Sequence, residues 1–69
     1  MMDEGMEMYF LDMAQSALDS CEMMLSQGRK AKAQEYFTTA LYFSAKVDAD
    51  KIGVDFGTRI ERLNRQTWS

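Results

Sequence analysis

Two helix-forming stretches of opposite charge meet at Gly28, and that junction constrains the fold more than any other feature of the chain. Residues 1–27 carry six acids (Asp3, Glu4, Glu7, Asp12, Asp19, Glu22) and no base, a net charge of −6. Residues 28–69 carry all eight bases against five acids, a net of +3, which leaves the chain at −3. No proline interrupts either stretch, and no strand-like alternation is sustained. The pattern predicts an all-α chain: an antiparallel helical hairpin of about 3–27 and 29–47, with a third helix over about 50–66, in a small three-helix arrangement.

The first helix rests on Phe10, Leu11, Ala14, Ala17, Leu18, Cys21, Met24 and Leu25, which recur at three- and four-residue steps and form one apolar stripe. Asp3, Glu4 and Glu7 fall near its start, where the macrodipole favours negative charge, on a turn expected to be solvated. Gly28 follows the last apolar turn, the place for a left-handed residue that stops a helix. Met6, Met8, Tyr9 and Met13 widen the apolar surface beyond what one partner helix needs.

The second helix carries two adjacent stripes, Ala33, Phe37, Ala40, Leu41, Ser44 and Tyr36, Ala40, Phe43, Val47, covering over half its circumference. Such a helix sits between two neighbours. Arg29, Lys30 and Lys32 at its start oppose the helix dipole, which suggests a balancing charge such as Glu22 or an external anion; a solvated basic turn is the plainer alternative. Asp48-Ala49-Asp50 reads as a break, since aspartate competes for its own backbone. Ile52, Phe56, Ile60, Leu63 and Thr67 then share one face. Gly53 and Gly57 soften the first half of this helix, and Thr58 with Glu61 forms a capping box that offers a later start. Asp55/Arg59 and Glu61/Arg65 are candidate i,i+4 pairs. One continuous helix over 30–65 is the rival arrangement.

At 69 residues the chain is read as one helical domain spanning 1–69. A core of this size alone supplies about 3–5 kcal/mol, so small domains add disulfides, a metal or a partner surface. Cys21 is the only cysteine and histidine is absent, which removes an intrachain disulfide and argues against a zinc site. That leaves helix packing and association. Seven methionines strengthen the second option, because methionine suits adaptable binding surfaces as well as filling cores.

Gly28 is followed by Ala33, Phe37 and Ala40 within Gly-Arg-Lys-Ala-Lys-Ala-Gln-Glu-Tyr-Phe-Thr-Thr-Ala-Leu. This small–aromatic–small spacing after a turn glycine resembles a single tetratricopeptide repeat over residues 17–45. The family's terminal proline would fall at Ala45, and one copy is present where such repeats stack in several. The resemblance implies a hairpin packing mode and a protein-binding role.

Without histidine the usual general base and triad are missing, and no GxGxxG or P-loop pattern occurs. Asp48, Asp50 and Asp55 lack the ordered ligand spacing of a calcium loop. Cys21 on the apolar stripe reads as structural. The chain is therefore expected to be no enzyme, with no cofactor, metal or small-molecule substrate. No run of about 18 apolar residues is present, and the start lacks the basic, then apolar, pattern of a signal peptide, so a cytoplasmic protein without membrane contact is expected.

Function is accordingly sought in surfaces. Phe37, Leu41, Leu18 and Leu11 are the expected core. Tyr9, Met13, Tyr42, Phe43 and Trp68 are the candidates for an interface with a protein partner or with a second copy in a homodimer. The alternative is a nucleic-acid module using Arg59, Arg62 and Arg65 beside Trp68. It is disfavoured: the chain is acidic, and three arginines make few phosphate contacts.

Overall fold

Gly28 takes a backbone φ of 74°, the left-handed conformation the hairpin turn requires. In the computed structural model, which describes residues 4–69, α1 runs Glu4–Ser26 and α2 runs Lys30–Ser44. The Gly28 N–H donates to the Leu25 carbonyl at 3.1 Å, and the Arg29 N–H reaches back to the Met24 carbonyl at 2.8 Å. Together they form a Schellman closure that satisfies two orphan carbonyls of α1 and reverses the chain. A Cβ added at Gly28 would meet nothing within 4 Å. Gly28→Ala is therefore expected to cost only the left-handed strain, about 1–2 kcal/mol. Urea unfolding measures this, and an unchanged midpoint would show that the turn does not depend on glycine.

The hairpin closes through small residues. Ala14 and Ala17 of α1 and Ala33 and Ala40 of α2 are all buried, with Leu18, Cys21 and Phe37 filling the space between the helices. Leu18 and Phe37 are core as expected, and Leu11 is half-buried against them. Leu41 is a correction: it is 41% exposed. The buried line of α2 is Ala33, Phe37, Ala40, Ser44, and Leu41 lies outside it. The first residue expected in helix one, Asp3, lies outside the described residues.

Two boundaries differ from the sequence reading. α2 stops at Ser44, three residues short of Val47, where the Ser44 hydroxyl donates to the Leu41 carbonyl at 3.1 Å. Such local back-bonding competes with helix continuation. A single 3-10 turn, Ala49–Lys51, follows, held by the Lys51 N–H donating to the Asp48 carbonyl at 2.9 Å. Gly53 is extended (φ −71°, ψ 159°) and α3 begins only at Val54, running to Trp68. The third helix thus starts about four residues later than expected, the long 30–65 helix does not form, and Thr58 lies inside α3 rather than at its start.

α3 lays one face across the hairpin. Phe56, Leu63 and Thr67 are buried and Ile60 half-buried, as the spacing predicts, and Ile52, just before the helix, is half-buried too. Thr67 meets Cys21, Oγ1 to Sγ 3.4 Å, and its carbonyl accepts from Gln34 Nε2 at 3.3 Å. The result is a three-helix, all-α arrangement with no strand among the described residues. The Cα envelope is 40 × 18 × 13 Å.

Candidate functional site

The side of α1 that meets α3 is where most of its acids are spent. Arg59 of α3 donates through Nε to Glu22 Oε1 at 3.0 Å and pairs through Nη2 with Asp19. Arg62 donates to the same Glu22 oxygen at 2.8 Å. Arg59 therefore bonds across to α1 rather than to Asp55 on its own helix. Burial works against the Arg59 charge, but the hydrogen bonds it donates to Asp19 and Glu22, and their negative charge, outweigh it and raise its pKa above the ordinary arginine value. For a raised cation the stabilisation is fully present below the unfolded pKa and lost only as pH climbs through the folded one. This tie is therefore insensitive to base titration of Arg59 near neutrality. Glu22 serves α3, not the basic start of α2: there Lys30 bonds the Ser69 carbonyl, and Lys32 pairs with Glu35 at 3.3 Å.

Glu7 corrects the expectation of a solvated acidic turn, since only 7% of it is exposed. Oε1 accepts from Lys51 Nζ at 3.3 Å, while Oε2 has no hydrogen-bond partner among the described residues. Val47 and Lys51 of the connection fold against Glu7, Met8 and Leu11, leaving a cleft of about 160 Å³. Losing one partner of a buried pair destabilises, whereas replacing the buried charge with an apolar side chain of similar size is often neutral or favourable. The two substitutions should thus have opposite signs. Lys51→Ala is expected to cost about 1–2 kcal/mol, because the lysine is itself half-exposed, and Glu7→Met to be neutral or stabilising. Urea midpoints compared side by side give the answer.

The other side of the hairpin carries the candidate site. Phe10 of α1 stacks on Phe43 of α2, with centroids 6.1 Å apart. Tyr9 packs edge-on to Phe10 at 5.9 Å, and Tyr42 edge-on to Phe43 at 5.4 Å. Four rings therefore run without interruption across both helices. Lys46 Nζ lies over Tyr42 at 4.6 Å and over Phe10 at 5.9 Å, in cation–π range. Tyr9 is 55% and Tyr42 60% exposed. Met6 and Met13, one turn either side of Tyr9, and Tyr36, two turns from Phe43, are exposed as well.

This placement follows from helix phase. On α1, Leu11, Leu18, Glu22 and Leu25 point toward α3, while Tyr9 and Met13 leave from roughly the opposite side at 100° per residue. Of the five interface candidates, Tyr9, Met13, Tyr42 and Phe43 share this face, with Phe43 half-buried. Trp68 is exposed but stands apart, beside Ala31, Gln34 and Thr38 at the other end of α2. Phe10 and Lys46 were not among the candidates. The three-residue step from Tyr42-Phe43 to Lys46 is the local signal that could have added Lys46. Of the three arginines, Arg59 and Arg62 are engaged by acids, and Arg65 alone makes no ion pair among the described residues.

Among the described residues no cluster of three or more potential metal ligands occurs, and no helix is long and apolar enough to cross a membrane. No protein-family model matches the chain, and neither a curated protein nor a solved structure matches it.

Proposed function

We propose that this chain is a small non-enzymatic helical adaptor or regulator of the cytoplasm that acts by binding protein through the open face of its hairpin. The observation that carries the reading is the continuous Tyr9–Phe10–Phe43–Tyr42 surface with Met6 and Met13 at its margin. Half-exposed aromatic side chains of about 150–250 Å² each are the groups that dominate interface energetics. Tyr9 and Tyr42, with Met6 and Met13, make an exposed apolar patch around the Phe10–Phe43 stack, and the largest such patch of a small protein is often its interaction site. The tetratricopeptide-like spacing of residues 17–45 points the same way.

The nucleic-acid alternative draws less support, because Asp19 and Glu22 already occupy Arg59 and Arg62. A flat fluorescence-anisotropy titration with single-stranded nucleic acid at low salt is expected.

The test compares the wild-type chain with a Tyr9→Glu/Tyr42→Glu variant in cross-linked affinity capture, after circular dichroism has shown equal helicity. Protein bound by the first and lost by the second is expected. Equal capture by both would sink the reading.

A further inference from the structure

The chain has more acids than bases, yet Lys46 meets no carboxylate among the described residues. Its neighbours are rings. Nζ lies 4.6 Å from the Tyr42 centroid and 5.9 Å from that of Phe10, so one ring from each helix of the hairpin faces the ammonium. The face of an aromatic ring is the negative lobe of its quadrupole and attracts a cation. Both rings are braced by a third: Phe43 stacks on Phe10 at 6.1 Å and stands edge-on to Tyr42 at 5.4 Å. Lys46 also follows shortly after Ser44, the last residue of α2, where the helix macrodipole ends negative, and the last turn of α2 has no base of its own. Rings and dipole favour the same sign of charge at the same place.

We propose that Phe10 and Tyr42 are the two walls of a site for a quaternary ammonium group, the trimethylated lysine of a partner protein, and that Lys46 is a tethered cation occupying the same place. The proposal rests on the reading of this face as protein-binding and names the chemical group it takes. Lys46 is exposed, and its backbone N–H is fixed to the Phe43 carbonyl at 3.1 Å, so its side chain can swing away while the chain stays in position.

An incoming cation competes with one whose short tether holds it at an effective concentration on the order of millimolar. An unmodified lysine has no advantage in that contest, because its ammonium gives up the same hydration as that of Lys46. A trimethylammonium group has one. It keeps the positive charge, carries no N–H to strip of water, and lays methyl groups against the ring faces. Tyr42 is 60% exposed, so the group can enter from solvent at the end of an alkyl stem. Tyr9, Met6 and Met13, exposed on the α1 side of Phe10, offer apolar surface to the residues flanking such a lysine, a contact that a free small cation does not make.

The test is an NMR titration of the full chain with four probes: acetylated trimethyllysine amide, its unmethylated counterpart, the neutral isostere with a tert-butyl group in place of the trimethylammonium, and choline. Lys46→Ala and Tyr42→Ala are titrated beside the wild-type chain, after circular dichroism has shown that each is folded. Trimethyllysine amide is expected to bind in the millimolar range and to shift the Phe10, Tyr42 and Phe43 ring signals. Tyr42→Ala should weaken it about two- to fivefold, the worth of one exposed cation–π contact. The neutral isostere and the unmethylated lysine should bind more weakly by at least that factor. Lys46→Ala should tighten binding about threefold or more, because the rings are then open in every molecule rather than in a fraction of them. An isostere that binds as well as the cation reduces the site to apolar contact and overturns the proposal. So does an affinity that Lys46→Ala leaves unchanged, since Lys46 would then not share the ligand's place. Choline binding tighter than trimethyllysine amide overturns the protein source. If none of the probes binds while protein capture still depends on Tyr9 and Tyr42, the proposal fails and the broader reading of the face stands.

Discussion

Phe37→Ala is expected to leave the isolated chain largely unfolded at room temperature. Phe37 is 1% exposed and sits between Ala33 and Ala40 on its own helix, within the buried cluster that includes Ala14, Ala17 and Leu18 of α1. The alanines set the close approach of α1 and α2, and the phenyl ring occupies the space that they leave. Removing it loses both the transfer energy of the ring and the contacts around the resulting cavity, about 3–5 kcal/mol. A core of this size supplies about 3–5 kcal/mol in total, so the loss is comparable with the whole stability. Far-UV circular dichroism should show a cooperative urea transition in the wild-type chain and little residual helix in the variant. Tyr42→Ala, on the exposed face of the same helix, provides the contrast at about 0.5 kcal/mol or less. If Phe37→Ala cost no more than Tyr42→Ala, the small-residue seam would not be the structural centre of this fold.

That seam was legible because its signals are local. A glycine just past the last apolar turn of a helix has one ready use, a left-handed stop, and Gly28 has it. Leu18 and Phe37 lie in the middle of periodic stripes and were bound to be covered whichever neighbours arrived. Leu41 was not legible for the converse reason. α2 is apolar round more than half its circumference, so periodicity allows several buried faces, and the positions of α1 and α3 choose among them. The start of α3 was equally open. Asp48, Asp50, Gly53, Gly57 and Thr58 each offer a plausible boundary, and the choice of Gly53 depends on how the 3-10 turn aims the chain back across the hairpin.

The candidate site divides along the same line. The surplus of apolar residues near Tyr9 and Met13 is a property of sequence, and so is the opposition of charge between residues 1–27 and the rest. The pairing of those charges is a property of the assembled fold. Glu22 could have met Arg29 or Lys30 across the turn, yet α3 brings Arg59 and Arg62 to it across about 40 residues of sequence. Glu7 lies in the first turns of α1, where a carboxylate suits both solvent and the helix dipole. Only the return of residues 47–51 over it produces its burial, and no local pattern announces that return.

The attachment of α3 gives the second large effect. Leu63→Ala is expected to cost about 2–5 kcal/mol and to free α3 from the hairpin. Leu63 is 1% exposed, and α3 offers few other large buried groups: Phe56 one end, half-buried Ile60 between, and Thr67 against Cys21. The ion cluster cannot replace it. Asp19 is 71% exposed at its side chain and Arg62 58%, and exposed pairs contribute about 0–1 kcal/mol each. Arg59→Ala should therefore cost less than Leu63→Ala, about 1 kcal/mol. Hydrogen exchange distinguishes docking from global stability. In the Leu63→Ala chain, amides of residues 54–68 should lose protection first, with those around Leu18 and Phe37 retaining more. The reverse order of effects, Arg59→Ala above Leu63→Ala, would mean that charge rather than apolar burial holds α3 in place. It would then predict a third helix that high salt releases, because screening weakens an exposed ion cluster and leaves a buried leucine unaffected.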